Sequence, residues 1–199
     1  MKSLTMEWAT AARTLRGETE SGDRHLVTTW PGGAILAAAD GLGHGAEAAL
    51  AARLALGTVE RCARQPLTEI VERCHETLRQ TRGVAMSLAR WEAHDQSLSW
   101  MGVGNVEGLL VCGAGESRKR YERLLLRSGA VGIRMPPLLS STVTVPAGSL
   151  LIFVTDGIAD SFDQGLDRLG RPQMVADRIL ASHSLGTDDA LVLVARFSE

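Results

Sequence analysis

Residues 34–65 read AILAAADGLGHGAEAALAARLALGTVERCARQ, and two kinds of local structure meet inside them. Residues 34–39 form a short apolar run that stops at Asp40-Gly41, a turn pair, as a buried strand does. Residues 46–65 are rich in Ala, Leu and Arg and hold no proline until Pro66, which reads as a helix. A buried strand therefore passes to a helix through a glycine-rich corner carrying an aspartate and a histidine. Just downstream, Leu67, Ile70, Val71, Cys74 and Leu78 recur at helical spacing and predict a second helix laid against something flat. Upstream, residues 25–30 form a strand-like run that Pro31-Gly32-Gly33 turns back into residues 34–39, a hairpin. Residues 4–14 place Met6, Trp8, Thr10 and Ala12 on one side of a period-two pattern, predicting a strand with one buried face.

After Arg82 the pattern returns to strands, near residues 84–91, 97–102, 107–112, 142–145 and 149–155. Turn signals at His94-Asp95 and Pro146-Ala147-Gly148 separate some of them. A short helix over residues 172–182 opens on Pro172, and residues 190–197 close the chain as a strand. Strands, two adjacent helices, more strands and a late helix predict an α+β domain with mainly antiparallel sheets, not alternating βαβ units.

The chain has 199 residues, 45% hydrophobic and 22% charged, as expected of one globular domain spanning 1–199. Its formal net charge of -2 supplies no overall basic field to recruit nucleic acid or an anionic membrane. No apolar run approaches the roughly 18 residues of a membrane helix, and the first residues show no apolar secretory core. Three cysteines without C-x-x-C spacing predict neither a disulfide framework nor a zinc knuckle. The expected location is the cytoplasm.

The chemistry concentrates at strand ends. AILAAAD-G and LLIFVTD-G each end an apolar strand in Asp-Gly, at Asp40 and Asp156, while Asp188-Asp189 immediately precedes the apolar run ALVLVARF. Asp23, in SGD, stands before another strand. An ionised carboxylate at the rim of a core is costly unless it meets water, donors or a cation. Several gathered together raise one another's pKa, and a hard divalent cation, Mg2+ or Mn2+, removes that conflict. Taken singly, each Asp-Gly is an ordinary turn; their shared placement singles them out.

The ordered set SGD, ADGLGHG, GVGN, TDG and TDDALVLV, with a helix directly after DGLGHG, resembles the metal-dependent protein phosphatase 2C family. Within it the resemblance is to the compact bacterial SpoIIE-like branch, and to the serine phosphatases there that reset the stressosome. It implies a four-layer α-β-β-α sandwich of two mainly antiparallel sheets flanked by helices. It also implies two Mn2+ or Mg2+ ions, with Asp40 bridging both, the Gly41 carbonyl and Asp23 on one, and Asp156 and Asp188 on the other. A water held between them would attack phosphorus directly. Asp189 would orient a ligand, and Asn105 would order the turn beside the site. The implied substrate is phosphoserine or phosphothreonine on a regulatory protein, a STAS-domain stressosome component.

Two features depart from the larger relatives. The phosphate-clamping arginine that they carry before the first metal aspartate is replaced here by Gly17-Glu18-Thr19-Glu20-Ser21. Backbone amides near Gly43 and Gly45, at a helix N-terminus, are the alternative phosphate donors. His44 is displaced relative to the histidine of many relatives, and is a candidate proton donor to the leaving oxygen or a solvated loop residue.

Three rival readings compete. Cys112 to Arg118 reads C-x-x-G-x-x-R, the phosphate loop of cysteine-dependent phosphatases, although Val111 replaces its usual histidine and Gly113-Ala114-Gly115 also suits a hairpin turn. GVGNVEG at 102–108 mimics a dinucleotide fingerprint, but a strand-like run follows where a helix is required. The third is a catalytically silent module binding a phosphoprotein on the same fold; retention of every candidate metal aspartate speaks against it.

Overall fold

The computed structural model describes residues 4–113 and 121–199. The elements are β1 (Thr5–Arg13), β2 (Asp23–Trp30), β3 (Gly33–Gly41), α1 (Gly45–Arg61), α2 (Leu67–Leu78), β4 (Val84–Glu92), β5 (Ser97–Val103) and β6 (Glu107–Val111). There follow β7 (Tyr121–Arg123), β8 (Leu126–Arg127), β9 (Ser141–Thr144), β10 (Leu150–Val154), a 3-10 turn (Asp160–Asp163), α3 (Pro172–His183) and β11 (Ala190–Ser198). One sheet has the order β1-β11-β10-β6-β7; the other has β2-β3-β4-β5-β8, with β9 added on β5.

Three cores stack these elements into four layers. Leu36, Ala38, Trp100, Phe153, Leu193 and Phe197 fill the space between the sheets. Ile35, Ala37 and Ala39 on the other face of β3 meet Ala51, Ala52 and Ala55 of α1 and the Ile70, Val71, Cys74 stripe of α2. Val192 and Val194 of β11 meet Val175 and Ile179 of α3. Apolar residues on both faces of β3 and β11 explain why their sequences run without alternation: each strand is covered twice. Alanines along α1 let its backbone approach the sheet closely, which draws the Asp40 corner against the helix start.

The structure amends the sequence reading in three places. α1 ends at Arg61, not near residue 65: Cys62 leaves the helical backbone region at φ -110° and ψ 15°, and the Ala63 and Gln65 N–H groups bond three residues back, to Glu60 and Cys62, as turns do. β7 and β8, of three and two residues, lie below the length at which periodicity can be read, and β8 pairs with β5 in parallel. β1 does not bury the predicted face: Trp8 is 42% exposed, whereas Ala11 is buried. β1 is the edge strand of its sheet and pairs with β11, while its Thr10 carbonyl accepts the Gln173 side chain of α3 at 3.0 Å. α3 covers its Ala11 side, Met6 tucks between the sheets, and Trp8 tilts against His25 at 5.8 Å between ring centres.

Candidate active site

The hairpin register brings the first two carboxylates together. In the antiparallel pairing of β2 with β3, Asp23 stands directly opposite Asp40. Like charges directly opposite on a sheet destabilise it, so this pair needs a compensating partner. Asp40 also faces Ala85 of β4, and its neighbour Gly41 faces Val84, which places the corner at one end of the sheet.

The other sheet contributes its own carboxylates at the same end. Asp156 follows β10 and Asp188-Asp189 precede β11. Thr155 joins the sheets: its hydroxyl donates to Asp23 Oδ2 at 2.6 Å and accepts the Leu191 N–H at 2.8 Å. Asn105 Nδ2 donates to Asp156 Oδ2 at 2.7 Å, so this asparagine holds a carboxylate directly instead of merely shaping a turn. Asp189 is buried and both its oxygens are taken, Oδ1 by the Leu15 N–H and Oδ2 by the Gly22 N–H, each at 2.7 Å. It clasps the β1–β2 connection against β11. Asp188 Oδ1 accepts the Asp189 N–H at 2.8 Å. The sequence reading missed Thr155; its position between an apolar strand and an Asp-Gly was the available signal.

The loop after Asp40 is shaped by close approaches. A Cβ on Gly41 would lie 2.1 Å from the Ala48 carbonyl oxygen, so only glycine lets α1 sit this near. Gly43 has φ +85°, and a Cβ there would lie 2.7 Å from a guanidinium nitrogen of Arg82. An arginine thus reaches this loop from the α2–β4 connection, where no motif announced it, with its Nε donating to Glu47 at 2.5 Å. His44 precedes the first residue of α1, Gly45, and its Nδ1 lies 2.6 Å from Glu18 Oε1 in the segment that lacks the expected arginine.

Electrostatics shows that the carboxylates act on one another. Burial, opposed by the Thr155 hydroxyl and reinforced by Asp189, Asp156 and Asp188, raises Asp23 to about 7. Burial and then Asp23, Asp156, Asp188 and Asp189 raise Asp40 to about 8. Burial and then Asp188 push Asp156 up as well. Among the described residues no three such side chains already close into a coordination shell, while Thr155 and Asn105 donate to Asp23 and Asp156. In charge and donor type the set nonetheless fits hard divalent cations: oxygen donors only, crowded enough to favour protonation, and relieved by positive charge.

The family model for stage II sporulation protein E (SpoIIE) matches residues 31–198. The chain belongs to this family. Phosphoserine phosphatase RsbX of Bacillus subtilis (strain 168) is 29% identical over 142 residues, covering 71% of this chain and 69% of that protein. A solved chain from the bacterial stressosome, described as a modular system adapted to control secondary messenger signaling, superposes with a TM-score of 0.88. It is 29% identical and covers 96% of this chain and 100% of its own. RsbX in complex with magnesium superposes at 0.85 with 23% identity, over 97% of this chain and 96% of that one. The four-layer sandwich expected from the sequence is therefore present, and it is the protein phosphatase 2C fold.

Within this SpoIIE-family chain the rival sites lie elsewhere or dissolve. Cys112 is buried in the core between the sheets, while Arg118 lies outside the described residues. Asn105 marks the carboxylate end of β6 and Cys112 follows its other end, about 20 Å of extended chain away. The 102–108 segment leads into strand β6 and not into a helix. Cys112→Ser is expected to keep phosphatase turnover within about twofold, since no reacting group is lost; a drop beyond about a hundredfold with unchanged melting would establish a thiolate nucleophile. No helix of the described residues is long and apolar enough to cross a membrane.

Proposed function

We propose that the two sheets and their helices form one catalytic domain that hydrolyses phosphoserine or phosphothreonine on a regulatory protein in the cytoplasm, with STAS-domain stressosome components as the substrate. The phosphatase class follows from SpoIIE-family membership together with the named activity of RsbX, and the stressosome assignment draws on the 29%-identical solved chain. The observation that carries the chemistry is the register pairing of Asp23 with Asp40 beside Asp156 and Asp188, with burial and the neighbouring carboxylates raising Asp23, Asp40 and Asp156.

Asp40 would contact both of two divalent ions, with Asp23 and the Gly41 carbonyl completing one site and Asp156 and Asp188 the other. Bound there, Mn2+ or Mg2+ supplies an activated water and neutralises phosphoryl oxygens, so that hydrolysis needs no phosphoenzyme. The protein's own groups do the positioning. Thr155 and Asn105 aim Asp23 and Asp156, Asp189 fixes the connection that carries Asp23, and the Gly43 and Gly45 amides with Arg82 face the phosphoryl group. Glu18 holds His44 by Nδ1, leaving Nε2 to pass a proton to the leaving oxygen.

Hydrolysis of a phosphoserine peptide in Mn2+ or Mg2+, with EDTA as control, tests this reading. Turnover that EDTA abolishes is expected. Turnover indifferent to EDTA, or binding of the phosphopeptide without hydrolysis, would replace it with a metal-free enzyme or a silent binding module.

A further inference from the structure

Beside the carboxylate end of the sheets lies a hollow of about 430 Å3 that the chemistry above does not use. Arg127, Ser128 and Arg134 line it together with Met135 and the Pro136–Pro137 pair. Neither guanidinium has a carboxylate partner among the described residues, whereas Arg53, Arg82, Arg123 and Arg178 all have one. In a chain of net charge -2, two unpaired arginines at one concavity form a local positive site.

The hollow is also built rigidly and in the right place. The Arg127 carbonyl accepts the Gly104 N–H at 2.9 Å, and the next residue, Asn105, holds Asp156. Val131 exchanges backbone hydrogen bonds of 2.9 and 2.8 Å with Val84, the strand partner of Gly41. Ala130 and Arg134 close a tight turn by two backbone bonds of 3.0 and 2.9 Å, and the Gly132 N–H donates to His75 Nδ1 of α2 at 2.9 Å. The arginines are thus carried on a backbone pinned to neighbours of both Asp156 and Gly41, so that their side chains, and not the segment, are what a ligand must order.

We infer that this hollow is a docking subsite for acidic residues flanking the phosphorylated residue of the substrate protein, with Arg127 and Arg134 as its recognition groups. The inference rests on the phosphatase reading for what occupies the neighbouring site. Charge complementarity selects the occupant: unpaired guanidiniums favour carboxylates, and no carboxylate of the described residues pairs with these two. It gives the enzyme selectivity among phosphoproteins that a generic phosphate-hydrolysing centre does not provide.

Two fluorescently labelled phosphoserine peptides, identical except for Glu or Gln residues beside the phosphoserine, test it by anisotropy and by hydrolysis in Mn2+. The Glu peptide is expected to bind about fivefold tighter than the Gln peptide at low ionic strength, as two charge pairs would give. That preference should vanish in Arg127→Gln/Arg134→Gln, persist in part in Arg127→Lys/Arg134→Lys, and fade for the parent protein at high salt. Equal binding of both peptides by the parent, or a preference that survives the double Gln change, overturns the subsite. If the double variant fails to fold, the parent's peptide preference and its salt dependence decide alone. Failure of the phosphatase reading looks different: a Glu preference in binding with neither peptide hydrolysed keeps the subsite and removes the enzyme.

Discussion

Asp40→Asn is expected to lower metal-dependent phosphoserine hydrolysis more than about a thousandfold and to erase the rise in melting temperature expected of the parent in Mn2+. The change removes the charge that is proposed to serve both ions while keeping the side chain's size. Its effect on the metal-free protein has the opposite sign. Burial and four neighbouring carboxylates lift Asp40 from an ordinary 3.8 to about 8. A raised acid binds its proton more tightly in the folded state than in the unfolded one. Metal-free stability is therefore greatest below about pH 4 as far as this group is concerned, falls as pH climbs towards 8, and levels off above. Asn carries no such penalty, so at pH 8 the metal-free variant should match the parent or exceed it by about 2 kcal/mol. Melting curves at pH 6 and 8, with Mn2+ and with EDTA, check all of this. Parental turnover together with a parental Mn2+ shift would mean that the aspartates are turn residues and not a metal centre.

Asp189→Ala is expected to damage the fold as well as the chemistry. Both Asp189 oxygens accept backbone N–H groups, from Leu15 and Gly22, and the residue is 3% exposed. Truncation strands one buried donor, at Gly22, and one partly buried donor, at Leu15, a loss of about 2 kcal/mol, and frees the connection that delivers Asp23. Turnover of the folded fraction should fall about 10- to 100-fold, in the manner of a residue that positions a ligand. Asp40→Asn and Asp189→Ala thus separate: the first loses activity while keeping metal-free stability, the second loses stability first. Thermal melting with EDTA distinguishes them, and an Asp189→Ala protein that melts with the parent would remove its clasp role.

Much of the architecture was legible because burial leaves a local signature. AILAAAD and ALVLVARF are apolar without alternation, as strands covered on both faces must be, and the α2 stripe announces one flat partner. β1 was misread because an edge strand covered on part of each face obeys no single period. β7 and β8 were too short to carry any pattern. The candidate carboxylates were legible as residues, since an aspartate ending an apolar strand is conspicuous whatever surrounds it.

Which groups hold those residues, and how they are arranged, was not legible. The sequence by itself determined the order of elements, the strand-to-helix corner at Asp40 and the identity of Asp23, Asp40, Asp156, Asp188 and Asp189 as the acids of interest. Only the tertiary structure decided that Asp23 stands across from Asp40, that Thr155 ties one sheet to the other, that Asp189 is a clasp, and that Arg82 reaches Gly43. The reason is physical. Apolar periodicity follows from which side of a local element is buried, whereas these contacts join residues as far as 174 positions apart along the chain. Register and sheet packing fix them, and neither is a property of any single segment.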